Sequence, residues 1–439
     1  TQNWRHLIMP TQQAGFPHWE VQFDANGGLA VPDTSPDEMA GLADIFVFSH
    51  GWNNDATAAR SLYERFFTEM RSVCDSNGIA VATIGTVGIL WPSMRWADES
   101  PPVRAGGAAS TTGGPPAVTD RKLVEDLAQV FTSATQRAAL TKLADLLDAK
   151  PADVASLNEF QAQMKQLVSA DTDAAAPEDN GEANGLFGQN AHTVFQRFAA
   201  IAPQRHAGGA ADIGDVFGSL WNGAKEALRA TTYWEMKKRA GIVGSKGLGP
   251  WINRVQVKNP SLKVHLIGHS FGARLVSNSL TALSSNAPFS VESVFLLQGA
   301  FSHFAFAGKL PFDSSRSGAL VGMNRRVDGP LCVTHSLKDT AVGTAYPLAS
   351  ITSHDDASAV SDALYRWGAM GHDGAQDSGA TEAVLGPVGT KYSFGIGAFI
   401  NLDANSIITQ GGPPSGAHSD IVHPEIAWAV LAAARLTRS

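Results

Sequence analysis

Residues 262–283 read LKVHLIGHSFGARLVSNSLTAL, and this stretch decides the fold of the chain. Its apolar part, which ends at Ile267, is typical of a short strand buried on both faces of a parallel sheet, and apolar residues recur at helical spacing from Phe271 onward. Residues 268–272, GHSFG, have the form G-x-S-x-G, in which a sharp strand-to-helix turn exposes a serine in a strained conformation. The pattern predicts a nucleophile at Ser270. A tight glycine-rich turn with an inert serine is the alternative.

Strand and helix patterns alternate on both sides of this stretch. DIFVFSHGW at 44–52 predicts a central strand, 55–73 a helix, and VATIGTVGILWPS at 81–93 another strand. VESVFLLQGA at 291–300 and GPLCVTHSL at 329–337 predict two further strands. Strand, helix, strand order requires right-handed crossovers in a parallel sheet. We therefore expect an α/β fold with a mostly parallel central sheet flanked by helices.

The two ends of the chain continue this sheet. HWEVQFDANGGLAV at 18–31 predicts an extended segment broken by an Asn-Gly-Gly turn, as in an antiparallel hairpin. Either SFGIGAFINLD at 393–403 or NSIIT at 405–409 supplies the last strand. HPEIAWAVLAAARL at 423–436 predicts a closing helix with Pro424 near its first turn.

An insertion separates the two α/β stretches. Residues 97–120 are rich in Pro, Gly, Ala, Ser and Thr and predict an exposed linker. Residues 121–240 are helical in pattern, apart from an acidic stretch at 171–185 that is typical of a solvated loop. We predict a core made of 1–96 and 241–439, with the helical insertion forming a cap over the active site.

The composition excludes several classes of protein. Of the 439 residues, 44% are hydrophobic and 17% are charged, which is typical of a globular chain. Lys and Arg number 33 against 41 Asp and Glu, so the formal net charge of -8 leaves no basic excess for a nucleic-acid partner. Cys74 and Cys332 each lie in an apolar run, which predicts two buried free thiols rather than a disulfide framework.

The sequence also bears on membranes and location. No stretch approaches the roughly 20 consecutive apolar residues of a membrane span, so we expect no transmembrane anchor. The start, TQNWRHLIMP, lacks the basic segment and apolar core of a signal peptide. A cytoplasmic location is the expectation, and a processed secreted protein is the alternative.

The GHSFG turn, together with FVFSHGW at 46–52 and acid and histidine segments downstream, resembles the α/β-hydrolase superfamily. The resemblance covers residues 40–100 and 250–437 and leaves the helical block unmatched. In that family the catalytic acid follows a strand after the nucleophile, and the histidine comes last. The resemblance therefore implies a Ser-His-Asp triad on an α/β-hydrolase fold.

The best-placed acid is Asp339 in THSLKDTAV, just past the strand LCVTHS. A carboxylate there can turn back toward a histidine at the carboxyl edge of the sheet. Asp355 and Asp356 lie too far from any apolar run, and Asp313 lies between strands, although either site substitutes if the strand boundaries shift. A helix cap at the surface is the non-catalytic reading of Asp339.

The best-placed base is His418 in SGAHSDIVHPE, which follows the final strand and precedes the final helix. This is where the α/β-hydrolase resemblance puts the catalytic histidine. His423 is the rival. Because Pro424 comes next, His423 fits better as the start of the closing helix.

The segment His50-Gly51-Trp52 resembles the oxyanion loop of the family, although a Trp and two Asn replace part of its HGGG form. The resemblance implies that the backbone N–H groups of Trp52 and Phe271 stabilise a tetrahedral oxyanion. His50, Gly51 and His269 are expected to line the substrate pocket. A buried aromatic at a strand end is the alternative reading of Trp52.

Together these residues predict a serine hydrolase that cleaves carboxylic esters through an acyl-enzyme, with no cofactor and no metal. The expected substrate is a small, partly apolar ester or acyl compound. An amidase, peptidase or acyltransferase would use the same triad, and a catalytically silent scaffold or binding protein is the third reading. GIVGSKG and GPVGTKY lack the Gly-Lys pair of a phosphate loop, and the acidic segments at 354–356 and 371–374 lack a convincing set of metal ligands.

Overall fold

The computed structural model describes residues 11–33, 35–52, 54–94, 120–169, 176–179, 182–201, 213–285, 290–343, 365–412 and 416–437. These residues divide into two compact units. The sheet unit falls within Thr1–Arg95, Lys238–Gly343 and Gly368–Ser439, and the helical unit falls within Trp96–Lys237 and Thr344–Trp367. Apart from Asp120, the predicted linker at 97–120 lies outside the described residues, as do Asp355 and Asp356.

A mostly parallel sheet, with nine strands among the described residues, forms the centre of the sheet unit. The strands are β1 Thr11–Gln13, β2 Phe16–Gln22, β3 Asp44–Ser49, β4 Ile84–Leu90, β5 Lys263–His269, β6 Ser293–Leu297, β7 Leu331–His335, β8 Thr381–Val384 and β9 Phe399–Asp403. Their order is β1-β2-β4-β3-β5-β6-β7-β9-β8. Of the pairs formed by the described strands, only β1 and β2 run antiparallel. The predicted α/β class with a mostly parallel sheet is therefore confirmed.

Helices flank this sheet and make up most of the helical unit. They are α1 Ser35–Glu38, α2 Ala56–Asn77, α3 Asp120–Val130, α4 Ala134–Ala149, α5 Val154–Ser169, α6 Asn184–Phe187, α7 Ala191–Ile201, α8 Ile213–Ala230, α9 Thr232–Ile242, α10 Gly249–Lys258, α11 Phe271–Ser279, α12 Thr340–Gly343, α13 Met370–Asp373 and α14 Pro424–Ala433. A π-helical segment, Val243–Leu248, joins α9 to α10. No helix in the described ranges has both the length and the apolar content needed to cross a bilayer.

The first strands differ from the sequence-based prediction. The tight hairpin joins β1 to β2 through Ala14 and Gly15, whose φ angles are 52° and 79°. The Asn-Gly-Gly turn at 26–28 closes a single bridge between Phe23 and Leu29. Residues 29–32 are exposed after this turn, so they bury no apolar face that would extend a strand. β2 pairs instead with β4 in parallel.

At the other end of the sheet, β9 forms from the first of the two predicted alternatives, and NSIIT forms a turn. The edge strand β8 was missed, because TEAV is four residues long and three of its side chains are exposed. A strand with no buried face leaves no alternating apolar pattern to detect.

Helix α2 packs one side of the central strands. Its N-cap is Asp55, whose carboxylate accepts a hydrogen bond from Ala58 N at 2.8 Å. The rings of Tyr63 and Phe66 lie 5.2 and 4.9 Å from the ring of Phe48 on β3. This buried aromatic contact fixes the helix against the strand that carries the predicted oxyanion loop.

The helical unit has its own buried contacts. A capping box starts α4, in which the Ser133 and Gln136 side chains each bond the other's backbone N–H. Lys237 is buried and its Nζ lies 2.6 Å from Asp179 and 3.0 Å from Glu182. A buried ammonium needs such partners, because leaving it unpaired is strongly unfavourable. The placement of this unit as a cap over the active site stays a prediction.

Candidate active site

The segment predicted to carry the nucleophile adopts a strained turn between β5 and α11. Ser270 has φ 58° and ψ −124°, a combination that residues with a Cβ rarely adopt and that costs about 1–3 kcal/mol. The glycines on either side are sterically required. A Cβ on Gly268 would lie 2.5 Å from the Gly272 carbonyl oxygen, and one on Gly272 would lie 2.1 Å from the Ser49 carbonyl oxygen. Close packing of β3, β5 and α11 therefore holds Ser270 in its strained conformation.

This strain gives a prediction about stability. Ser270→Gly is expected to be more stable than Ser270→Ala by about 1 kcal/mol, because glycine adopts a positive φ without steric cost, and this outweighs its larger unfolded-state entropy. Urea unfolding of the two variants measures the difference through the midpoint, provided that the slope m is unchanged. Equal midpoints, or a higher one for Ser270→Ala, would contradict the prediction.

The loop after β3 lies directly against this turn. β3 and β5 are parallel neighbours in which Ser49 pairs with Gly268, so both strands end at the same edge of the sheet. A Cβ on Gly51 would lie 2.4 Å from Ser270 Cβ and 2.9 Å from Ser270 Oγ. Only glycine allows this approach. The loop therefore passes within contact distance of the candidate nucleophile.

The two residues predicted to donate backbone N–H groups directly follow Gly51 and Ser270 in the chain, and Gly51 lies against Ser270. Trp52 lies in the loop after β3, and Phe271 is the first residue of α11. Their rings are 6.1 Å apart between centroids. The first turn of a helix favours negative charge nearby because of the helix dipole. The geometry thus brings the two predicted oxyanion segments together.

Asp339 and His418, which are 79 residues apart in the chain, form a hydrogen-bonded pair. His418 Nδ1 lies 2.8 Å from Asp339 Oδ2. The Asp339 side chain is fully buried, and the His418 side chain is 13% exposed. Asp339 Oδ1 also accepts a hydrogen bond from Val342 N at 3.3 Å. Because Nδ1 donates to the carboxylate, the ring can accept a proton only at Nε2.

Backbone contacts hold this pair beside the turn at Ser270. The His418 carbonyl accepts a hydrogen bond from His269 Nε2 at 2.9 Å, and the two rings are 4.9 Å apart. Ala417 N donates to the Lys338 carbonyl at 2.9 Å, which ties the histidine loop to the acid loop. Within the described residues, the Ser270 hydroxyl forms no hydrogen bond to the His418 ring.

The alternative base, His423, and the alternative acid, Asp313, form hydrogen bonds with other residues. His423 is the N-cap of α14, as predicted, and its Nε2 lies 2.8 Å from Asp420 Oδ1. Asp313 Oδ1 accepts hydrogen bonds from the backbone N and the hydroxyl of Ser315, at 3.1 and 2.6 Å. These hydrogen bonds lower the pKa of Asp313. Of the described candidates, the structure pairs Asp339 with His418.

His50 and His269, predicted to line the substrate pocket, are 1% and 4% exposed. His50 Nδ1 lies 2.9 Å from the Gly51 carbonyl, and its ring stacks on Trp91 at 5.4 Å. Burial lowers the pKa of His50 to about 4 and that of His269 to about 3, so both rings are neutral at pH 7. His50 bonds the loop after β3 and His269 bonds the His418 loop, and their place in a substrate pocket stays a prediction.

No family model, curated protein or solved structure matches this chain.

A second Ser-His-Asp chain lies at the opposite end of the strands. His265 Nδ1 is 2.8 Å from Ser293 Oγ, and His265 Nε2 is 3.0 Å from Asp44 Oδ1. All three side chains are buried, and the ring of Phe46 stacks on His265 at 4.7 Å. Ser293 is a strand residue with no turn to expose its hydroxyl. We therefore assign this chain a structural role, which is to link β3, β5 and β6.

The structure also shows where one of the two near-matches to a phosphate loop and the two cysteines lie. GIVGSKG at 241–247 lies in the end of α9 and the π-helical segment, so its backbone forms no phosphate-binding loop. Across the described residues, no group of three or more His, Cys, Asp or Glu side chains is arranged to hold a metal ion. Cys74 and Cys332 are buried free thiols, as predicted.

Proposed function

We propose that this chain is a serine hydrolase of the α/β-hydrolase type that cleaves carboxylic esters, with Ser270 as nucleophile, His418 as general base and Asp339 as the acid that orients it. One observation carries the proposal: a serine held in a strained strand-to-helix turn lies next to a buried Asp-His pair that is tied to the same turn by His269. The order Ser, Asp, His along the chain agrees with this family.

In the proposed mechanism, His418 Nε2 takes the proton of Ser270 Oγ while that oxygen attacks the ester carbonyl carbon. The tetrahedral intermediate collapses, the C–O bond to the alcohol breaks, and His418 gives its proton to the leaving alkoxide. Water then enters and gives a proton to His418, and its oxygen attacks the acyl-enzyme. The acid is released and Ser270 recovers its proton. Asp339 keeps the ring in the required tautomer and stabilises the imidazolium.

The oxyanion in each step is expected to lie between the backbone N–H groups of Trp52 and Phe271. Preorganised donors of this kind stabilise the transition state because they need no reorientation when charge develops. The hydrogen bond from Ser270 to His418 forms as substrate binds, since catalytic hydrogen bonds are often long before then.

Ester cleavage is the proposal because an alkoxide is a better leaving group than an amide anion, so a triad acts on esters with a lower barrier. An amidase, peptidase or acyltransferase would use the same three residues. Matched p-nitrophenyl esters and p-nitroanilides separate these activities. Anilides cleaved as fast as esters would favour the amidase or peptidase, and product formed only with an added alcohol or amine acceptor would favour the acyltransferase.

An active-site probe tests the proposal directly. A fluorophosphonate is expected to label the wild-type protein at Ser270, and the peptide that carries the label identifies the residue by mass spectrometry. Ser270→Ala should lose the label. Ser293→Ala is the matched control, because it removes the serine of the buried second Ser-His-Asp chain and should leave labelling intact.

The outcomes of this experiment are distinct. An unlabelled wild-type protein would favour the silent scaffold. A label that disappears in Ser293→Ala and persists in Ser270→Ala would move the nucleophile to the amino end of the strands and refute the assignment of Ser270.

A further inference from the structure

We propose that Gln298 is a positioning residue that fixes the Asp339 carboxylate for His418. The inference rests on the proposed function and adds to it a fourth side chain, which acts through the acid and does not touch the substrate. Sequence reasoning missed it, since Gln298 was part of the strand pattern in VESVFLLQGA. Its signal in the sequence is a lone amide directly after a buried apolar strand, at the edge of the sheet that carries the triad.

Gln298 occupies a strained position next to Ser270. It follows β6 directly, is fully buried, and has φ 46°. The neighbouring strand ends are bonded to each other, because Ser270 N donates to the Leu297 carbonyl at 3.1 Å and Ala300 N donates to the Ser270 carbonyl at 3.2 Å. The adjacent strands β5 and β6 are thus each followed directly by a non-glycine residue with positive φ. Such strain persists only where the surroundings enforce it, and it clusters at functional sites.

The side chain of Gln298 uses both ends of its amide. Its Nε2 donates to Asp339 Oδ2 at 2.9 Å and to the Gly371 carbonyl at 2.8 Å. Its Oε1 accepts from the Thr334 hydroxyl at 3.0 Å. The backbone N of Gln298 also donates to Thr334 Oγ1, at 3.2 Å. A buried primary amide with all these contacts has no freedom to rotate away from the carboxylate.

The partners determine which way the amide faces. Asp339 and the Gly371 carbonyl are both acceptors, so the NH₂ group must face them, and the oxygen must face the Thr334 hydroxyl. The acceptor on Asp339 is Oδ2, the oxygen that also accepts the hydrogen bond from His418 Nδ1. Gln298 and His418 therefore share one carboxylate oxygen.

This sharing affects the chemistry of His418. Removing the amide donor leaves the carboxylate less well positioned and its negative charge less compensated. An uncompensated carboxylate attracts the imidazolium more strongly and raises the pKa of the histidine. We therefore expect loss of Gln298 to slow acylation. We also expect the acidic limb of the pH–rate profile of acylation to move to higher pH.

The titratable groups near His418 allow the acidic limb of the pH–rate profile to be assigned to His418. Within the described residues, the Asp339 carboxylate bonds Nδ1 of His418, and the ring of His269 packs against the His418 ring. Burial keeps the pKa of His269 at about 3, so His269 does not titrate near neutral pH. Asp420, on the same loop, is paired with His423.

The test measures the rate of fluorophosphonate labelling of Ser270 from pH 5 to 9 in the intact 439-residue chain. Gln298→Met keeps a long unbranched side chain without donors or acceptors. Gln298→Gly suits the positive φ and so keeps the variant folded if the Met variant is unstable. Both are expected to label about tenfold or more slowly at pH 7 and to move the acidic limb up by about half a pH unit or more.

Gln136→Met is the matched control. Gln136 is also buried, and its Nε2 donates to the Leu167 carbonyl at 2.9 Å in the helical unit. This variant loses a comparable buried amide but should keep the wild-type rate and pH limb.

A merely structural role for Gln298 would lower stability and leave the acidic limb unchanged, and this outcome would overturn the inference. It would also be overturned if both Gln298 variants labelled at the wild-type rate. In either case wild-type labelling at Ser270 still supports the proposed function. A wild-type protein that takes no label at Ser270 overturns both.

Discussion

Ser270→Ala is expected to lower kcat for p-nitrophenyl butyrate by about 10⁵–10⁶-fold, because removal of the nucleophile abolishes the acyl-enzyme route. A residual rate above that in buffer should remain, since binding and the oxyanion donors still act. Initial rates of p-nitrophenol release, followed at high protein concentration, measure both quantities.

Ser293→Ala provides the comparison for this loss. Its hydroxyl belongs to the buried chain with His265 and Asp44, so the variant is expected to lose some stability and keep kcat within about threefold of wild type. If Ser270→Ala retains a tenth or more of the wild-type kcat while the wild type hydrolyses the ester, the nucleophile lies elsewhere in the chain.

Asp339→Ala is expected to lower kcat by about 10⁴-fold with KM changed little, because His418 loses the group that sets its tautomer and stabilises its positive charge. The variant also leaves His418 Nδ1 and the Gln298 amide without their shared acceptor. Circular dichroism and urea unfolding show whether the variant is folded at the assay temperature.

Asp313→Ala is the control for the acid, since Asp313 was the other described candidate and its carboxylate accepts hydrogen bonds from its neighbour Ser315. This variant is expected to keep wild-type kcat. A large loss in Asp313→Ala together with an active Asp339→Ala would reverse the assignment of the acid.

The sequence alone was sufficient for the local features of the site. The strand, turn and helix around Ser270 follow from apolar periodicity and from the steric need for Gly268 and Gly272, and the structure has them at those residues. The loops that carry Asp339 and His418 were predicted from their positions after strands together with the α/β-hydrolase resemblance, which implies an acid after a strand and a histidine last. These features depend on residues close together in the chain, so short windows of sequence carry the information.

Tertiary structure decided which of the candidates meet. Asp339 and His418 lie 79 residues apart, and their contact depends on the placement of β7 and β9 as neighbours, which no local pattern specifies. The same holds for Gln298, whose hydrogen bond to Asp339 depends on β6 lying between β5 and β7.

The second Ser-His-Asp chain is another case in which tertiary structure, and not local sequence, decides which side chains meet. Asp44, His265 and Ser293 come together because three strands pair in one register, and their residue types alone gave no sign of it. Residue type and spacing thus predicted the chemistry proposed for this chain and where its backbone turns. Strand order and register determined which side chains touch, because hydrogen bonds act over about 3 Å and only the folded sheet brings distant residues that close.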